Sequence, residues 1–172
     1  KDYRPGLSIL HCDWVGLAHF KQFFSGVYFL RLLKNTVAIS FYSLIWGFPA
    51  PILLALMINE VGNKYFKKTI QTFTYIPHFI SLVVVCGMIA NFSGPDGIFN
   101  DIVELFGGTR KAFLGEPSMF RTIYVASGIW QGVGWGSIIY IAAISGIDQE
   151  LYEAAIIDGA GRFRRAVSIT VP

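Results

Sequence analysis

Three long stretches of the chain contain no aspartate, glutamate, lysine or arginine, and they constrain the fold more than any other feature. They span residues 35–59, 69–95 and 122–147, about 25 residues each. An α-helix needs roughly 20 apolar residues to cross the hydrocarbon core of a bilayer. Charged residues make up only 15% of the chain, whereas soluble domains contain roughly 25%. The sequence therefore predicts an all-α polytopic membrane protein, with transmembrane spans at about 35–58, 70–92 and 122–147.

Prolines interrupt the first two predicted spans. Pro49 and Pro51 lack an amide hydrogen, so we expect the first span to kink or break where they occur. Pro77 stands beside His78 near one end of the second span. A polar group at membrane depth is a candidate for function, but a histidine next to a proline near the membrane boundary is more often packed or interfacial. We therefore expect His78 to be packed or interfacial rather than functional.

The third predicted span carries a stripe of small residues. Gly128, Gly132 and Gly136 recur at four-residue spacing, and Gly134 widens the stripe. Residues four apart share one face of a helix, and glycine lets another helix approach closely in lipid. The pattern predicts that this face is a helix-packing surface.

The segment before the first span is rich in aromatic and basic residues. Its apolar residues fall on one helical face, with basic residues elsewhere; the apolar set is Leu17, Phe20, Phe24 and Val27. This arrangement predicts an amphipathic helix over 14–34 that lies in the membrane interface. Residues 1–34 are thus expected to form one segment that includes this interfacial helix.

The end of the chain has a different pattern. Residues 151–157 favour a short helix, with Glu153, Ala154 and Ala155 inside it, and Gly159 and Gly161 are expected to stop this helix. A second helical piece is predicted over 162–168, with a basic cluster of Arg162, Arg164 and Arg165. One interpretation is a knob of two short helices that fits a groove on another protein. The other is an amphipathic helix whose arginines face lipid headgroups.

The spacing in this tail resembles a known signature. Glu153-Ala154-Ala155, then Gly159 and finally Ile169 and Pro172 follow the pattern Glu-Ala-Ala-x3-Gly-x9-Ile-x-Leu-Pro, with Val171 in place of leucine. The pattern is the EAA motif of permease subunits in binding-protein-dependent ABC importers. The run ELYEAAIIDGAG is most similar to the carbohydrate branch. Further similarities to sugar-importer permeases are Trp14 to Leu17 with Phe20, the Asn35-Thr36 pair, and Leu54 to Leu56.

The resemblance implies a fold and partners. The chain would be the middle of a six-helix permease of the type I ABC importer kind, with a transmembrane core at 35–147 and a cytoplasmic EAA coupling segment at 148–172. It would work with a second permease subunit, two ATPase subunits and an extracellular solute-binding protein, in the bacterial cytoplasmic membrane. A cytoplasmic tail and three spans would place 60–68 inside, and 1–34 and 96–121 outside.

The resemblance also implies residue roles in coupling to the ATPase. The pair Ala154 and Ala155 would form the helix that docks into an ATPase cleft, and Glu153 would make a polar contact there. Gly159 would be the backbone elbow, and the arginine cluster the rim.

Candidates for the substrate pathway lie on the third span. Sugars bind by stacking on aromatic rings and by hydrogen bonds from amides and hydroxyls. Side chains of that kind are Trp130, Gln131, Trp135 and Tyr140. The alternative is that the first two belong to the interfacial aromatic belt and that the last two fill the glycine-rich face.

Other classes of function lack their motifs. No G-x-x-x-x-G-K-[ST] loop is present, so ATP would be bound by the partner ATPase, and we expect neither enzymatic activity nor a cofactor. The spacing of His11, Cys12, Asp13 and His19 fits no standard metal site, and scattered basic residues do not suggest nucleic acid binding. Rival functions are an ABC importer for a non-sugar solute, such as a peptide or phosphonate, and a membrane scaffold or secondary transporter. A membrane scaffold or secondary transporter would need acidic residues within a span, and the predicted spans have none.

Overall fold

A computed structural model describes residues 14–171, which are helical and contain no strand. The helices are α1 (Ala18–Phe24), α2 (Phe29–Gly47), α3 (Pro49–Asn59), α4 (Lys64–Tyr75), α5 (Leu82–Phe92), α6 (Ile98–Leu105), α7 (Pro117–Ser145), α8 (Gln149–Ile157) and α9 (Arg162–Arg165). Short 3-10 turns at Ile76–Phe79 and Phe113–Gly115 precede α5 and α7, and a π-helical turn at Ala166–Thr170 follows α9. The chain divides into two compact units, Lys1–Phe41 and Tyr42–Pro172.

The first unit differs from the predicted interfacial helix. In place of one helix over 14–34, α1 ends at Phe24, and a turn through Ser25 and Gly26 leads into α2. Val27 therefore lies outside both helices. The rings of Phe23, Phe24 and Phe29 pack edge to face around the turn, with centroids 5.1–5.6 Å apart. α2 begins at Phe29, six residues before the predicted start of the first span at about residue 35.

The first predicted span forms as two consecutive helices. α2 ends at Gly47 and α3 begins at Pro49, so the break falls where the prolines predicted it. Proline has no amide hydrogen, and Pro49 and Pro51 leave the carbonyls four residues earlier without a helical donor. Together the two helices provide 31 residues, and an 18-residue window within them has a mean hydropathy of 1.8, so they are long and apolar enough to cross a membrane.

The second predicted span is not a straight helix. α4 starts at Lys64, where the Oδ1 atom of Asn63 accepts hydrogen bonds from the amides of Tyr65 and Phe66 at 3.0 and 3.2 Å. The chain then bends by 100° between Phe79 and Leu82. Pro77 is buried in the 3-10 turn, and Ile80 and Ser81 are extended. Because α4 and α5 have only 12 and 11 residues, they could cross a bilayer only as one broken span.

A buried asparagine organises the segment between α5 and α7. Asn100 on α6 is fully buried, and its Nδ2 donates to the carbonyls of Gly94 and Lys111 at 2.7 and 2.8 Å. Its Oδ1 accepts from the Lys111 amide at 2.8 Å. Nearby, Arg110 pairs with Asp101 and Glu104 at 2.8 and 2.6 Å. The hydrogen bonds that Arg110 donates to Glu104 and Asp101 raise its pKa above the ordinary value.

α7 is the helix on which the second unit is packed, and two of its glycines make the close contacts. A Cβ atom on Gly134 would collide with the backbone carbonyl of Thr74 on α4. A Cβ atom on Gly136 would lie 3.1 Å from the Cγ atom of Pro51 on α3. The predicted packing stripe is therefore only partly right, because Gly128 and Gly132 have open space where a Cβ would point.

The apolar core of the described residues is small. Its buried side chains are Ala55, Ile58, Val85, Phe113 and Val125. Large apolar side chains on every long helix are exposed instead, for example Leu53 at 58%, Val83 at 81% and Ile139 at 73%. By length and composition only α2–α3, and α4–α5 if counted as one broken span, qualify as membrane-crossing within residues 14–171. The 29-residue α7 is long enough, but its glycines, tryptophans and Gln131 lower its hydropathy.

The glycine contacts generate a stability prediction. We expect Gly134→Ala to destabilise the full-length protein by about 1–3 kcal/mol, because the new methyl group overpacks the contact with the Thr74 backbone. The matched control is Gly128→Ala, which has open space and should gain about 0.5–1 kcal/mol from reduced chain entropy. Thermal unfolding in detergent measures both. An unchanged melting temperature for Gly134→Ala would contradict the assigned contact.

Candidate functional site

The tail that carries the EAA pattern folds as a hairpin of two short helical arms. The first arm is α8, which is N-capped by Asp148, whose side chain accepts from the amide of Glu150 at 3.1 Å. Glu150 in the first turn is favoured by the helix dipole. Glu153 and Ala154 on α8 are exposed, whereas Ala155 is half-buried.

Gly159 ends the first arm in the way the sequence predicted. It has a φ of +74°, a backbone conformation that residues with a Cβ atom rarely adopt. The amide of Gly159 donates to the carbonyl of Ile156 at 3.0 Å, and the amide of Ala160 donates to the carbonyl of Ala155 at 2.8 Å. These two bonds form a Schellman motif. The prediction for Gly161 is wrong, because its φ of −66° is not left-handed and it caps the start of α9 instead.

The second arm consists of α9 and the π-helical turn after it. Arg162 and Arg164 are exposed, and Arg165 is half-buried. The hydroxyl groups of Tyr152 on α8 and Thr170 in the turn are 2.9 Å apart and share a hydrogen bond. Phe163 at the start of the arm is 84% exposed. The hairpin is therefore closed at its base by one hydrogen bond and presents charged and aromatic side chains at its tip.

A cleft of about 550 Å³ lies among α2, α3, α5 and α7 of the second unit. Its polar lining includes Ser43, Tyr124, Ser127 and Gln131, and the backbones of Gly47, Gly128 and Gly132 widen it. The Nε2 atom of Gln131 donates to the carbonyl of Ile80 at 3.2 Å. The amide oxygen of Gln131 has no partner among the described residues, so it can accept a hydrogen bond from a ligand.

Of these cleft residues, the sequence analysis identified only Gln131 as a candidate for the substrate pathway. The sequence nevertheless contains a pattern that marks the cleft. Tyr124, Ser127, Gly128 and Gln131 occur at positions i, i+3, i+4 and i+7 of α7. Residues at this spacing share one face of a helix. A face that carries small and hydrogen-bonding residues, in a helix that is otherwise apolar, is the signal that would have located the cleft.

The four predicted pathway residues do not share one cavity. Gln131 lines the cleft, whereas Trp130 lines a separate apolar groove of about 500 Å³ with Phe92 and Phe99. Trp135 stacks on His78, with ring centroids 4.6 Å apart and planes 3° apart. This stack gives His78 a packed position, as expected. Tyr140 is half-buried and lines neither cavity.

Metal-ligating side chains do not cluster within residues 14–171, where no three His, Cys, Asp or Glu side chains come together. Of the four side chains considered as metal ligands from the sequence, His19 lies on α1. The other three, His11, Cys12 and Asp13, lie outside the described residues.

Comparison with known proteins identifies the family. Residues 47–172 match the family described as "Binding-protein-dependent transport system inner membrane component". The chain belongs to this family. It is 46% identical over 173 residues to the Bacillus subtilis polygalacturonan/rhamnogalacturonan transport system permease protein YteP, and 44% identical to protein LplB of the same organism. Both alignments cover 100% of this chain and 54% of the relative.

A solved structure has the same fold. The crystal structure of a bacterial ABC transporter involved in the import of the acidic polysaccharide alginate superimposes with a TM-score of 0.89 and 46% sequence identity. The match covers 95% of this chain and 57% of that one. These findings confirm the predicted family and the helical permease fold. The chain spans about half the length of the curated relatives that it matches.

The closure of the hairpin gives a second prediction. Tyr152→Phe removes the hydroxyl that bonds Thr170, a loss of about 1 kcal/mol. We therefore expect amide hydrogen exchange in residues 166–171 to accelerate about fivefold in the full-length protein. Tyr65→Phe on α4 is the control, because Tyr65 is 74% exposed and lies on another helix. Equal exchange in wild type and Tyr152→Phe would show that the bond does not hold the second arm.

Proposed function

We propose that the protein containing this chain is a permease subunit of an ABC importer, and that it is a multi-pass protein of the bacterial cytoplasmic membrane. The importer moves an oligosaccharide across that membrane. A separate ATPase binds and hydrolyses ATP, and this subunit performs no catalysis. The observation that carries the proposal is the EAA hairpin, with its exposed Glu153 and its glycine elbow at Gly159. The named transport substrates of the relatives and of the solved structure, polygalacturonan, rhamnogalacturonan and alginate, support a saccharide.

The hairpin has the size and chemistry of a docking element. α8 is nine residues long, and the sharp turn at Gly159 brings the arginine-bearing second arm back toward it. Ala154 is small and exposed, so a partner surface can approach the helix backbone closely. In our proposal this hairpin enters a cleft of one ATPase subunit, with Glu153 in a polar contact and Arg162, Arg164 and Arg165 at the rim.

The family and the apolar surface support the other proposed partners. A second permease subunit and lipid would cover the large exposed side chains of α2, α3 and α7, since a soluble monomer rarely exposes so much apolar area. A second ATPase would serve the second permease. A crystal structure of the similar alginate transporter contains an alginate pentasaccharide-bound periplasmic protein, which supports an extracellular solute-binding protein as the partner that delivers the ligand.

The cleft on α7 is the proposed translocation site. Its volume of about 550 Å³ falls within the range of small-molecule sites. The side chains of Ser43, Ser127 and Gln131 provide hydroxyl and amide groups that suit the hydroxyls of a sugar. In this proposal Gln131 contacts substrate, while Trp135 acts indirectly through its stack on His78.

The coupling role is tested at Gly159. Gly159→Val forces a Cβ into a left-handed conformation, so the elbow should open and the ATPase should be lost or uncoupled from transport. Gly161→Ala is the matched control, because its φ of −66° accommodates a side chain. Co-purification with the ATPase and ATP-driven uptake of a labelled oligosaccharide are measured together.

Two results would count against the proposal. Normal uptake and ATPase assembly in Gly159→Val would remove the elbow from the mechanism. A wild-type protein that binds no ATPase would favour a headgroup-binding helix in a scaffold.

The cleft is tested at Gln131. Gln131→Ala removes both the amide oxygen that can accept from a sugar hydroxyl and the bond to Ile80 that holds the bend, and we expect it to reduce saccharide uptake about tenfold. ATPase assembly should be retained, because the hairpin is unaltered. Tyr140→Phe is the comparison, since Tyr140 does not line the cleft. Full uptake in Gln131→Ala would place the pathway elsewhere.

A further inference from the structure

A second polar cavity adjoins the cleft. It has a volume of about 460 Å³ and lies between the C-terminal part of α2 and the N-terminal part of α7. Val125 and Ile129 line both this cavity and the cleft, so the two are neighbours along α7. The remaining lining residues are Tyr42, Trp46, Ser118, Arg121, Thr122 and Ala126. A ligand that moves along α7 could therefore pass from one cavity to the other.

The chemistry of the lining differs from that of the cleft in one respect. Arg121 is half-buried and is the charged residue among those that line the cavity. Two aromatic rings, Tyr42 and Trp46, face the same space, and Ser118 and Thr122 add hydroxyl groups. Aromatic faces stack on the apolar faces of sugar rings, and a planar guanidinium pairs with a carboxylate through two parallel hydrogen bonds. Together these groups match a sugar that carries a carboxylate.

The position of Arg121 also favours an anion. It follows the first turn of α7, which begins at Pro117. The positive end of a helix dipole disfavours a cation and favours an anion nearby. Glu116 precedes the helix, but its side chain does not line the cavity. A guanidinium has five N–H donors, so Arg121 can keep its contacts within the protein and still bind a carboxylate.

We propose that this cavity binds a uronate unit of an acidic oligosaccharide, with Arg121 paired to its carboxylate and Trp46 and Tyr42 against its ring. This inference rests on the proposed function and adds the substrate class. The saccharide binds in this cavity first and then passes to the cleft. Arg121 is thus a specificity-determining residue, and neutral saccharides of the same length bind more weakly.

The test measures binding to the permease itself, so that selection by the solute-binding protein does not enter. The full-length subunit with its partner permease is placed in phosphatidylcholine nanodiscs. The probes are a trimer of galacturonic acid and its carboxyl-reduced neutral counterpart. Calorimetry measures the binding of each probe. We expect wild type to prefer the acidic trimer. Arg121→Gln should weaken that binding about 10- to 100-fold, through the lost charged hydrogen bonds, with little effect on the neutral trimer.

Three further variants separate recognition from folding. Arg121→Lys keeps the charge and loses the planar fork, so it should give an intermediate affinity for the acidic trimer. Lys68→Gln on α4 removes one positive charge from outside the cavity and should leave both affinities unchanged. Trp46→Phe should keep most of the affinity and lose the ligand-induced change in tryptophan fluorescence.

The inference is overturned by equal wild-type affinity for the two trimers, or by an Arg121→Gln variant that binds the acidic trimer normally. Arg121 would then be an anchor at the membrane interface. The proposed function fails on a different measurement, namely the absence of any saccharide uptake by the assembled importer. Uptake of neutral saccharides alone would keep the proposed function and refute the acidic substrate class.

Discussion

The close approach of α7 to its neighbours at Gly134 and Gly136 is the contact on which the second unit depends. Lipid tails are as apolar as leucine, so the hydrophobic effect does not drive helices together inside a bilayer. Close packing must do so, and here the α7 backbone touches Thr74 of α4 and Pro51 of α3. Gln131 and Trp135 on the same helix hold the bend that follows α4, through a hydrogen bond to Ile80 and a stack on His78. α7 thus fixes the helix packing through Gly134 and Gly136, and the shape of the cleft through Gln131.

Features set by neighbouring residues in sequence could be predicted. The elbow at Gly159 needs only a left-handed glycine after a short helix, and the break before Pro49 needs only a missing amide. The 100° bend after α4 was missed, because Pro77 indicates a break but not its angle, which depends on contacts with α7. The role of Asn100 was missed for the same reason, since its partner Lys111 lies eleven residues away.

Residue type alone does not predict which side chains of α7 line the candidate cleft. Aromatic and amide residues of α7 were predicted as sugar-binding types, but they point in different directions around the helix. Trp130 lies in an apolar groove and Trp135 stacks on a histidine, which leaves Gln131 in the cleft. Helical periodicity applied to small and hydroxyl residues selects the face that lines the cleft. Arg121 escaped attention because it stands just before the uncharged stretch, where a cation is an ordinary membrane-boundary residue.

The continuity of α7 connects the proposed site to the proposed coupling segment. The helix runs for 29 residues without a break, from the cavity beside Arg121, past the cleft, to Ser145. Three residues, Gly146 to Asp148, then lead into α8, and hydrogen bonds from the Gly146 and Ile147 amides to Ala143 and Ile144 tighten this link. A short, bonded link transmits rotation better than a flexible one. Movement of the hairpin by an ATPase would therefore turn α7, and the cleft residues with it.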